Sequence, residues 1–389
     1  MPGSNYKDTP TPMEKKKILF ILNSLTAGGA EKQTISLLNT LDTGRFELSL
    51  VYLDAVGTLL PQVDKKRLTV LSCLDRQKRL DPGVIKRIVR LIRGHRYDIV
   101  VCVGPYPLIY AFIGRWFCSV GFAILQVLHL TIPRADIWTA VKNRLLYQYL
   151  MNRCTKIVFV CRAQMDYWID HFSIRRDRST FIYNGVDTGF FGRSRSEEEG
   201  QQMRTHFGFG PDDFVVGICA ALRPEKKHID FIDAVKLAQK QLPDIKGLII
   251  GDGPLTDEIQ EYIQSNHLSS IIRMAGFRDD VRPCVGICDC LALTSHAVET
   301  FSISALEAMA MGKPVVITDL GGARELVEHG VSGFIFEKGD IGGLAAHLTS
   351  LAEDNRHLEM GEKARQRVRE KFTIEKMVAA YEALFSSIS

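Results

Sequence analysis

The sequence predicts an α/β protein with two doubly wound, Rossmann-like domains that face each other across a cleft. Short apolar runs alternate with amphipathic helical patterns in two successive series, and a polar segment separates the series. The length of 389 residues suits two domains of ordinary size. The expected parts are a disordered lead-in (1–12), a first domain (13–190), a linker (191–212), a second domain (213–372) and a final helix that crosses back to the first domain (373–389).

The first series begins with Lys17–Leu22, a short apolar run typical of a buried parallel strand. A glycine-containing loop and a helix with Ile35, Leu38 and Leu41 on its inner face follow it. Strand, glycine loop and helix in this order indicate the start of a doubly wound domain. The other predicted elements are strands at 46–53, 99–103, 122–128 and 157–161, helices at 84–93, 106–118 and around 138–149, and a closing turn at 181–187.

The polar segment 188–212 is predicted to connect the domains, and its glutamate cluster, 197–199, indicates a solvated helix start. A second alternating series follows, and helical patterns separate its strands. The predicted strands are 214–221, 247–250, 271–275, 289–293, 314–318 and 333–336, and an amphipathic helix covers 373–385.

Composition excludes several classes of protein. Hydrophobic residues make up 46% and charged residues 24%, which is globular composition rather than disordered or fibrous. A net charge of +4 is too mild to imply nucleic acid. Nine cysteines without framework spacing favour reduced thiols in a cytosolic protein. Cys288 and Cys290 are predicted to lie on one face of a core strand rather than in a zinc site.

No targeting or membrane-spanning segment is predicted. Residues 1–12 are polar and have no apolar core of a signal peptide. The stretch Leu108–Leu130 is long enough to span a bilayer, but it is interrupted by Arg115, Gly121, Gln126 and His129. A helix followed by a buried strand explains it better.

The strongest functional signal is a pair of glutamates, Glu299 and Glu307, eight positions apart. If Glu299 lies in a loop and Glu307 two turns into the next helix, both carboxylates can approach one ligand. Thr300 or Ser302 is placed to cap that helix, whose start would bind a phosphate group. The amides that would then face the cleft belong to Phe301, Ser302 and Ile303.

A basic loop, 221–228, follows the first strand of the second domain. The carboxyl ends of parallel strands face the ligand crevice, so Arg223 and a lysine can neutralise a leaving diphosphate there. The alternative is a solvated basic loop. His129 also follows a buried strand, where it is either a ligand group or structural. The glycine loops at 251–254 and 320–322 permit close backbone approach to a ligand.

Together these segments resemble the family-4 retaining glycosyltransferases of GT-B fold. The resemblance extends over about residues 16 to 386, and the two-glutamate segment is its specific part. The segments that carry it are 28–31, 184–187, 223–226, 251–254, 299–312 and 321–325.

The resemblance implies a role for each candidate residue. Arg223 and either Lys226 or Lys227 would hold the donor diphosphate. Glu307 would bind the ribose, Glu299 the sugar hydroxyls, and His129 the transferred sugar near its reacting carbon. The implied catalytic residues are His129, Glu299, Arg223 and Lys226. The further donor-binding residues are Gly29, Lys227, Gly251, Gly253, Thr300, Phe301, Ser302, Ile303 and Glu307.

The predicted function is therefore a retaining hexosyl- or N-acetylhexosaminyl-transferase. It would move a sugar from a nucleotide-sugar donor to a glycan or lipid-linked glycan in polysaccharide or glycoconjugate synthesis. A UDP-sugar is the favoured donor and a GDP-sugar the alternative. No cofactor and no metal are expected. The sugar would leave through an oxocarbenium-like transition state, and the family implies that the departing phosphate deprotonates the acceptor.

Two alternatives stay open: a non-catalytic nucleotide-sugar-binding module and a transferase that acts on a small soluble acceptor. A nicotinamide oxidoreductase is disfavoured because the loop 28–31 lacks the Gly-x-Gly-x-x-Gly pattern. Nucleic acid is not an expected partner, since no recognition motif accompanies the basic residues.

Basic and aromatic residues cluster in the first domain, where they suit docking on an anionic membrane surface or simply form a solvated helix face. The expected location is cytoplasmic, with peripheral attachment to the membrane if docking occurs. The residues are Arg76, Lys78, Arg79, Lys86, Arg87, Arg90, Arg93, Arg96, Lys142, Arg144, Arg153, Trp116, Trp138, Tyr147 and Tyr149.

Overall fold

The computed structural model describes residues 14–26, 28–118, 121–129, 145–192, 196–297 and 299–388. The predicted lead-in at 1–12 and the side chains of Trp138, Lys142 and Arg144 lie outside these residues. The chain divides into two compact units. The first contains Met1–Val127, Arg153–Lys156 and Glu382–Ser389, and the second contains Leu128–Asn152 and Ile157–Tyr381.

The first sheet has seven strands in the order β3-β2-β1-β4-β5-β6-β7. Every pair whose register is described is parallel. The chain adds β2 and β3 on one side of β1 and then returns to place β4 on the other side. The strands are β1 (Lys16–Leu22), β2 (Phe46–Tyr52), β3 (Leu68–Cys73), β4 (Ile99–Val103), β5 (Ala123–Leu128), β6 (Lys156–Phe159) and β7 (Ser179–Phe181).

Helices connect these strands, as the alternation in the sequence predicts. Residues 145–151 are helical, and short 3₁₀ turns lie at Leu60–Gln62, Lys65–Arg67 and Arg176–Arg178. The longer helices are α1 (Gly29–Thr40), α2 (Pro82–His95), α3 (Pro105–Phe117), α4 (Arg162–Phe172), α5 (Thr188–Phe191) and α6 (Glu197–Phe207).

The second sheet has six parallel strands in the order β10-β9-β8-β11-β12-β13, so the order reverses at β8. The strands are β8 (Phe214–Cys219), β9 (Ile245–Ile250), β10 (Ile272–Gly276), β11 (Cys290–Leu293), β12 (Val315–Thr318) and β13 (Gly333–Phe336). The helices are α7 (His228–Ala238), α8 (Thr256–Ser265), α9 (Arg282–Gly286), α10 (Ile303–Ala310), α11 (Ala323–Leu326), α12 (Ile341–Ala352), α13 (Arg356–Lys371) and α14 (Ile374–Ser387). Two 3₁₀ turns lie at Pro224–Lys226 and Glu353–Asn355.

The predicted pair of doubly wound sheets is confirmed, and the two strands that the sequence did not indicate, β3 and β7, are the edges of the first sheet. Edge strands bury less apolar surface, and every residue of β3 and β7 is only half-buried or exposed. Their apolar runs are therefore weak. On the inner face of α2, Val84, Ile88 and Ile92 are fully buried, whereas Ile85 is only half-buried.

All nine cysteines are free thiols, and Cys288 and Cys290 are fully buried, as predicted for core residues. They do not share a face. Cys288 packs with Leu291 in one apolar cluster, whereas Cys290 packs with Ala292 in the other. The reason is that β11 begins only at Cys290, so strand alternation does not extend back to Cys288.

The apolar stretch that begins at Leu108 forms α3 and then β5, as predicted. No helix within the described residues is long and apolar enough to cross a membrane. The glutamate cluster at 197–199 starts α6 and is exposed, also as predicted. Ser196 and Glu199 form a reciprocal capping box there, which satisfies two backbone N–H groups at the helix start.

The final residues belong to the first unit. The Phe385 ring packs edge-on against Phe20 and Phe46, with centroid distances of 6.2 and 5.9 Å. The Lys16 ammonium donates to the Phe385 carbonyl at 3.2 Å, and Arg45 pairs with Glu382 at 3.1 Å. The C-terminal residues therefore pack against β1 and β2.

Candidate functional site

The candidate site lies where the second sheet reverses its strand order. β8 has β9 on one side and β11 on the other, and the loops that leave β8 and β11 flank this reversal. In doubly wound sheets such a switch point opens a crevice at the carboxyl ends of the strands. The predicted basic loop, 221–228, follows β8, and the predicted glutamate segment, which starts at Glu299, follows β11.

Hydrogen bonds hold the two loops together. The Thr294 hydroxyl donates to the carbonyl oxygens of Lys226 at 2.9 Å and Lys227 at 3.0 Å. The His296 backbone N–H donates to the Glu225 carbonyl at 2.9 Å. These bonds fix the backbone on both sides of the Lys226 side chain.

A short ion pair joins two residues that the sequence singled out. The Lys226 ammonium donates to Glu299 Oε2 at 2.5 Å, and the Ser295 hydroxyl donates to the same oxygen at 3.0 Å. The side chains of Lys226 and Glu299 are 24% and 12% exposed, so water screens their attraction only in part. The basic loop and the glutamate loop therefore meet at this ion pair.

Two further cations of the basic loop are exposed. Within the described part of the chain, no hydrogen bond or ion pair is found for the side chain of Arg223 or Lys227. Lys227 adopts the left-handed conformation, with φ of 49°, directly before α7. Both cations are therefore available to an anion that approaches this edge of the sheet.

The glutamate segment starts α10 as predicted. Ser302 is the N-cap residue, and its hydroxyl accepts the Ala305 N–H at 3.3 Å, so the cap is Ser302 and not Thr300. Glu307 is in the second turn of α10, which begins only at Ile303. Glu307 is 9% exposed, which confirms that it is not a solvated surface charge.

The Phe301 side chain is part of the core. It is 5% exposed, and its ring lies 5.2 Å from Tyr183 and 5.3 Å from Phe372. The Asn184 amide also donates to the Phe301 carbonyl at 3.3 Å. A contact of Phe301 with a ligand would therefore have to use its backbone N–H, as the resemblance implies.

Gly321 is required by the glutamate loop. It has φ of +59°, and a Cβ there would lie 2.4 Å from the Glu299 carbonyl oxygen. The next residue, Gly322, donates its N–H to the Thr300 carbonyl at 2.7 Å. The loop after β12 therefore supports the backbone that carries Glu299.

Gly251 and Gly253 make room for protein backbone. A Cβ on Gly251 would lie 2.1 Å from the Ala220 carbonyl oxygen, and one on Gly253 would lie 2.6 Å from that of Leu222. Leu222 also donates its N–H to the Asp252 carbonyl at 3.0 Å. The glycine loop is thus packed on the start of the basic loop, and a contact of these glycines with a donor stays a prediction.

His129 directly follows β5, as expected, and burial lowers the pKa of its imidazole to about 4. It is therefore neutral near pH 7. Its neighbours at 130–144 lie outside the described residues. Gly29 is the exposed first residue of α1 in the first unit. The roles of His129 and Gly29 stay predictions.

Polar residues that the sequence analysis did not single out complete the cluster. Besides Thr294 and Ser295, His296 Nε2 lies 2.6 Å from an Asp230 carboxylate oxygen. Thr294, Ser295 and His296 follow the buried strand β11 directly, and polar residues at the carboxyl end of a parallel strand were the signal that could have found them.

The Glu325 carboxylate is held by hydrogen bonds from other parts of the protein. Its carboxylate accepts the N–H groups of Arg162 at 3.0 Å and Ala163 at 2.7 Å, at the start of α4. The Tyr183 hydroxyl donates to it at 2.8 Å, and burial together with this carboxylate raises the pKa of Tyr183. A negative charge at a helix N-terminus is stabilising, so this motif residue anchors α4.

The chemistry of the site favours an anion. Three cationic side chains lie on one loop, and Glu299 neutralises one of them. No group of three or more His, Cys, Asp or Glu side chains that could hold a metal ion occurs within the described residues.

Comparisons with known proteins match each half of the chain to a family of glycosyltransferases. The family described as "Glycosyltransferase Family 4" matches residues 27–190, and "Glycosyl transferases group 1" matches residues 201–370. N-acetyl-alpha-D-glucosaminyl L-malate synthase of Bacillus anthracis is 30% identical over 208 residues, about half of each chain (53% and 53%).

Two longer matches cover nearly the whole chain. UDP-Gal:alpha-D-GlcNAc-diphosphoundecaprenol alpha-1,3-galactosyltransferase of Escherichia coli is 23% identical over 95% of this chain and 97% of its own. The crystal structure of HepE of Anabaena in complex with UDP-glucose is similar with a TM-score of 0.82, at 27% identity over 95% of this chain and 99% of that one.

Proposed function

Because the chain belongs to the glycosyltransferases of GT-B fold, with a family-4 and a group-1 domain, we propose that it is a retaining, metal-independent transferase. Its donor is a UDP-sugar, and it transfers a hexosyl or N-acetylhexosaminyl group to a glycan or lipid-linked glycan. The Lys226–Glu299 pair beside the exposed Arg223 and Lys227 carries this proposal.

The basic loop is suited to a diphosphate. Arg223 offers a planar fork of donors that matches phosphate oxygens, and Lys227 adds a point charge. The start of α10 adds the backbone N–H groups of a helix N-terminus. These groups together supply the positive charge that a departing nucleoside diphosphate needs.

The reaction breaks the bond between the anomeric carbon and the diphosphate oxygen and forms a bond between that carbon and an acceptor oxygen. Negative charge grows on the departing phosphate, where Arg223 and the lysines stabilise it. The acceptor proton passes to a phosphate oxygen, so the products are the glycosylated acceptor and UDP. Glu299 orients the sugar hydroxyls, and Glu307 binds the ribose. Gly29 and His129 contact the donor.

A UDP-sugar is preferred to a GDP-sugar because the similar HepE structure holds UDP-glucose at 27% identity. The E. coli relative is named for an acceptor with a diphosphoundecaprenol carrier, which supports a lipid-linked acceptor and peripheral attachment at the cytoplasmic membrane face. The B. anthracis relative is named for L-malate, and it supports a second candidate: transfer to a small soluble acceptor.

A panel of nucleotide sugars tests the donor. At 100 times its dissociation constant, a bound ligand stabilises the folded protein by about 2.7 kcal/mol. We expect thermal stabilisation by UDP-sugars and not by GDP-sugars, without added metal and in the presence of a chelator. The anomeric configuration of the product, read by NMR, then reports retention.

As a control, Arg369→Ala removes an exposed arginine of α13 outside the candidate site, and this variant should show the same stabilisation as the wild type. Stabilisation by GDP-sugars alone would show that the donor base is guanine and not uracil. A panel without any stabilising nucleotide sugar would contradict the proposal.

A further inference from the structure

A groove in the first unit is formed by two neighbouring helices. It has a volume of about 690 Å³ and runs between α2 and the end of α3. Its main lining residues are Ile85, Lys86, Val89, Arg90, Arg93 and Phe117. The first five are spaced three or four positions apart, or adjacent, and so share one face of α2.

α2 therefore has two different faces. Val84, Ile88 and Ile92 are fully buried in the core. Gly114 lets α3 approach this face, because a Cβ there would lie 2.9 Å from Ile92 Cδ1. The second face has half-buried Ile85 and Val89 as its floor and lines the open groove.

The rim of the groove is cationic. Lys86, Arg90 and Arg93 are exposed, and neither α2 nor α3 contains an aspartate or glutamate. Asp81 is nearby, but its carboxylate caps α2 and accepts the N–H groups of Gly83 and Val84. No negative charge within the two helices opposes an anion at this face.

Exposed aromatic residues stand at one end of the groove. Trp116 is 87% exposed and Phe117 is 56% exposed, at the last turn of α3. Large aromatic side chains are favoured at the boundary between water and lipid, where their rings are partly immersed. An apolar floor, three cations and two exposed aromatic rings together complement a lipid with an anionic head group.

We propose that this α2–α3 groove docks the protein on an anionic phospholipid surface. Lys86, Arg90 and Arg93 bind head-group phosphates, and Trp116 and Phe117 insert beside the acyl chains. The inference rests on the membrane association proposed above and assigns it to a specific surface. It does not depend on the identity of the sugar donor.

Flotation with vesicles tests the proposal. Wild-type protein should bind vesicles of phosphatidylcholine with phosphatidylglycerol and not those of phosphatidylcholine alone. Each basic residue near an anionic surface contributes enough that Lys86→Gln/Arg90→Gln/Arg93→Gln should bind about a hundredfold more weakly. The matched control, Lys65→Gln/Lys66→Gln/Lys240→Gln, removes three exposed charges elsewhere and should bind like wild type.

Fluorescence provides a second readout with the charges intact. In a Trp138→Phe background, Trp116 emission should shift to the blue on binding, and this shift should be absent when Trp116→Phe is added, since the remaining Trp168 is buried. Both triple variants should release UDP from a UDP-sugar without vesicles at the wild-type rate. If the wild type released no UDP, this would count against the proposed function. The vesicle experiment would still test whether the groove binds lipid.

Three outcomes would overturn the proposal. The first is vesicle binding by the groove triple variant that equals that of the wild type. The second is a loss of vesicle binding in the control triple variant that equals the loss in the groove variant. The third is binding of a single-stranded oligonucleotide that is tighter than binding of vesicles and that Trp116→Ser leaves unchanged. The last would assign the cationic face to a nucleic acid.

Discussion

The loops that follow β1 and β8 occupy equivalent places in two sheets with the same local strand order. β1 lies between β2 and β4, and β8 lies between β9 and β11. The loop after β1, Asn23–Gly28, contains no charged residue, whereas the loop after β8 contains Arg223, Lys226 and Lys227. The same topology thus supplies two switch points, and only the second carries the charge that a diphosphate requires.

The glycines beside the two loops also differ: Gly28 ends the loop after β1, whereas Gly251 follows β9 and packs on the start of the loop after β8. A Cβ on Gly28 would lie 2.2 Å from a Glu31 carboxylate oxygen, the end of a flexible side chain that can move away. At Gly251, φ is +143° and the obstacle is the Ala220 backbone. The second region is therefore built on a backbone that tolerates no side chain, as a preorganised site needs.

The largest expected effect is on stability, from a substitution that disrupts the backbone at Gly251. Gly251→Ala forces both a disfavoured φ and a backbone clash, and we expect it to lower the free energy of unfolding by about 3 kcal/mol or more. Gly28→Ala should cost about 1 kcal/mol or less, because Glu31 can rotate away. Urea unfolding of both variants measures the difference, and similar losses in the two would contradict the comparison.

Much of this comparison could be predicted from the sequence. Apolar runs indicate the central strands, and the sequence alone marks Arg223, Lys226 and Glu299 as functional candidates. The sequence does not indicate the edge strands β3 and β7, because their residues are only half-buried or exposed. The Lys226–Glu299 pair could not be predicted either, since it joins residues 73 positions apart through packing of two loops.

The glycine loop shows a second limit of the sequence. Gly251 and Gly253 indicated close approach of a ligand, but the nearest atoms to their missing side chains are backbone atoms of residues 220 and 222. A glycine pattern reports that something lies close and does not report what it is. Only the tertiary structure distinguishes the two.

A smaller effect sharpens the role of charge in the second loop. If a diphosphate draws Lys226 away from Glu299, Glu299→Gln should tighten UDP binding about tenfold, because no ion pair has to break. In a Lys226→Gln background the same change should have little effect. A double-mutant cycle on UDP affinity measures this coupling. An equal tightening in both backgrounds would instead indicate repulsion of UDP by Glu299 without exchange of partners.

The most direct test of the central claim, that the basic loop after β8 binds the donor diphosphate, is a calorimetric titration of Arg223→Ala with UDP. Hydrogen bonds to charged groups contribute about 1.5–3 kcal/mol, so we predict that UDP binds at least about tenfold more weakly than to wild type. Arg369→Ala, with an equal loss of charge on the exposed surface of α13, should bind like wild type. Wild-type UDP affinity in a folded Arg223→Ala protein would contradict the account.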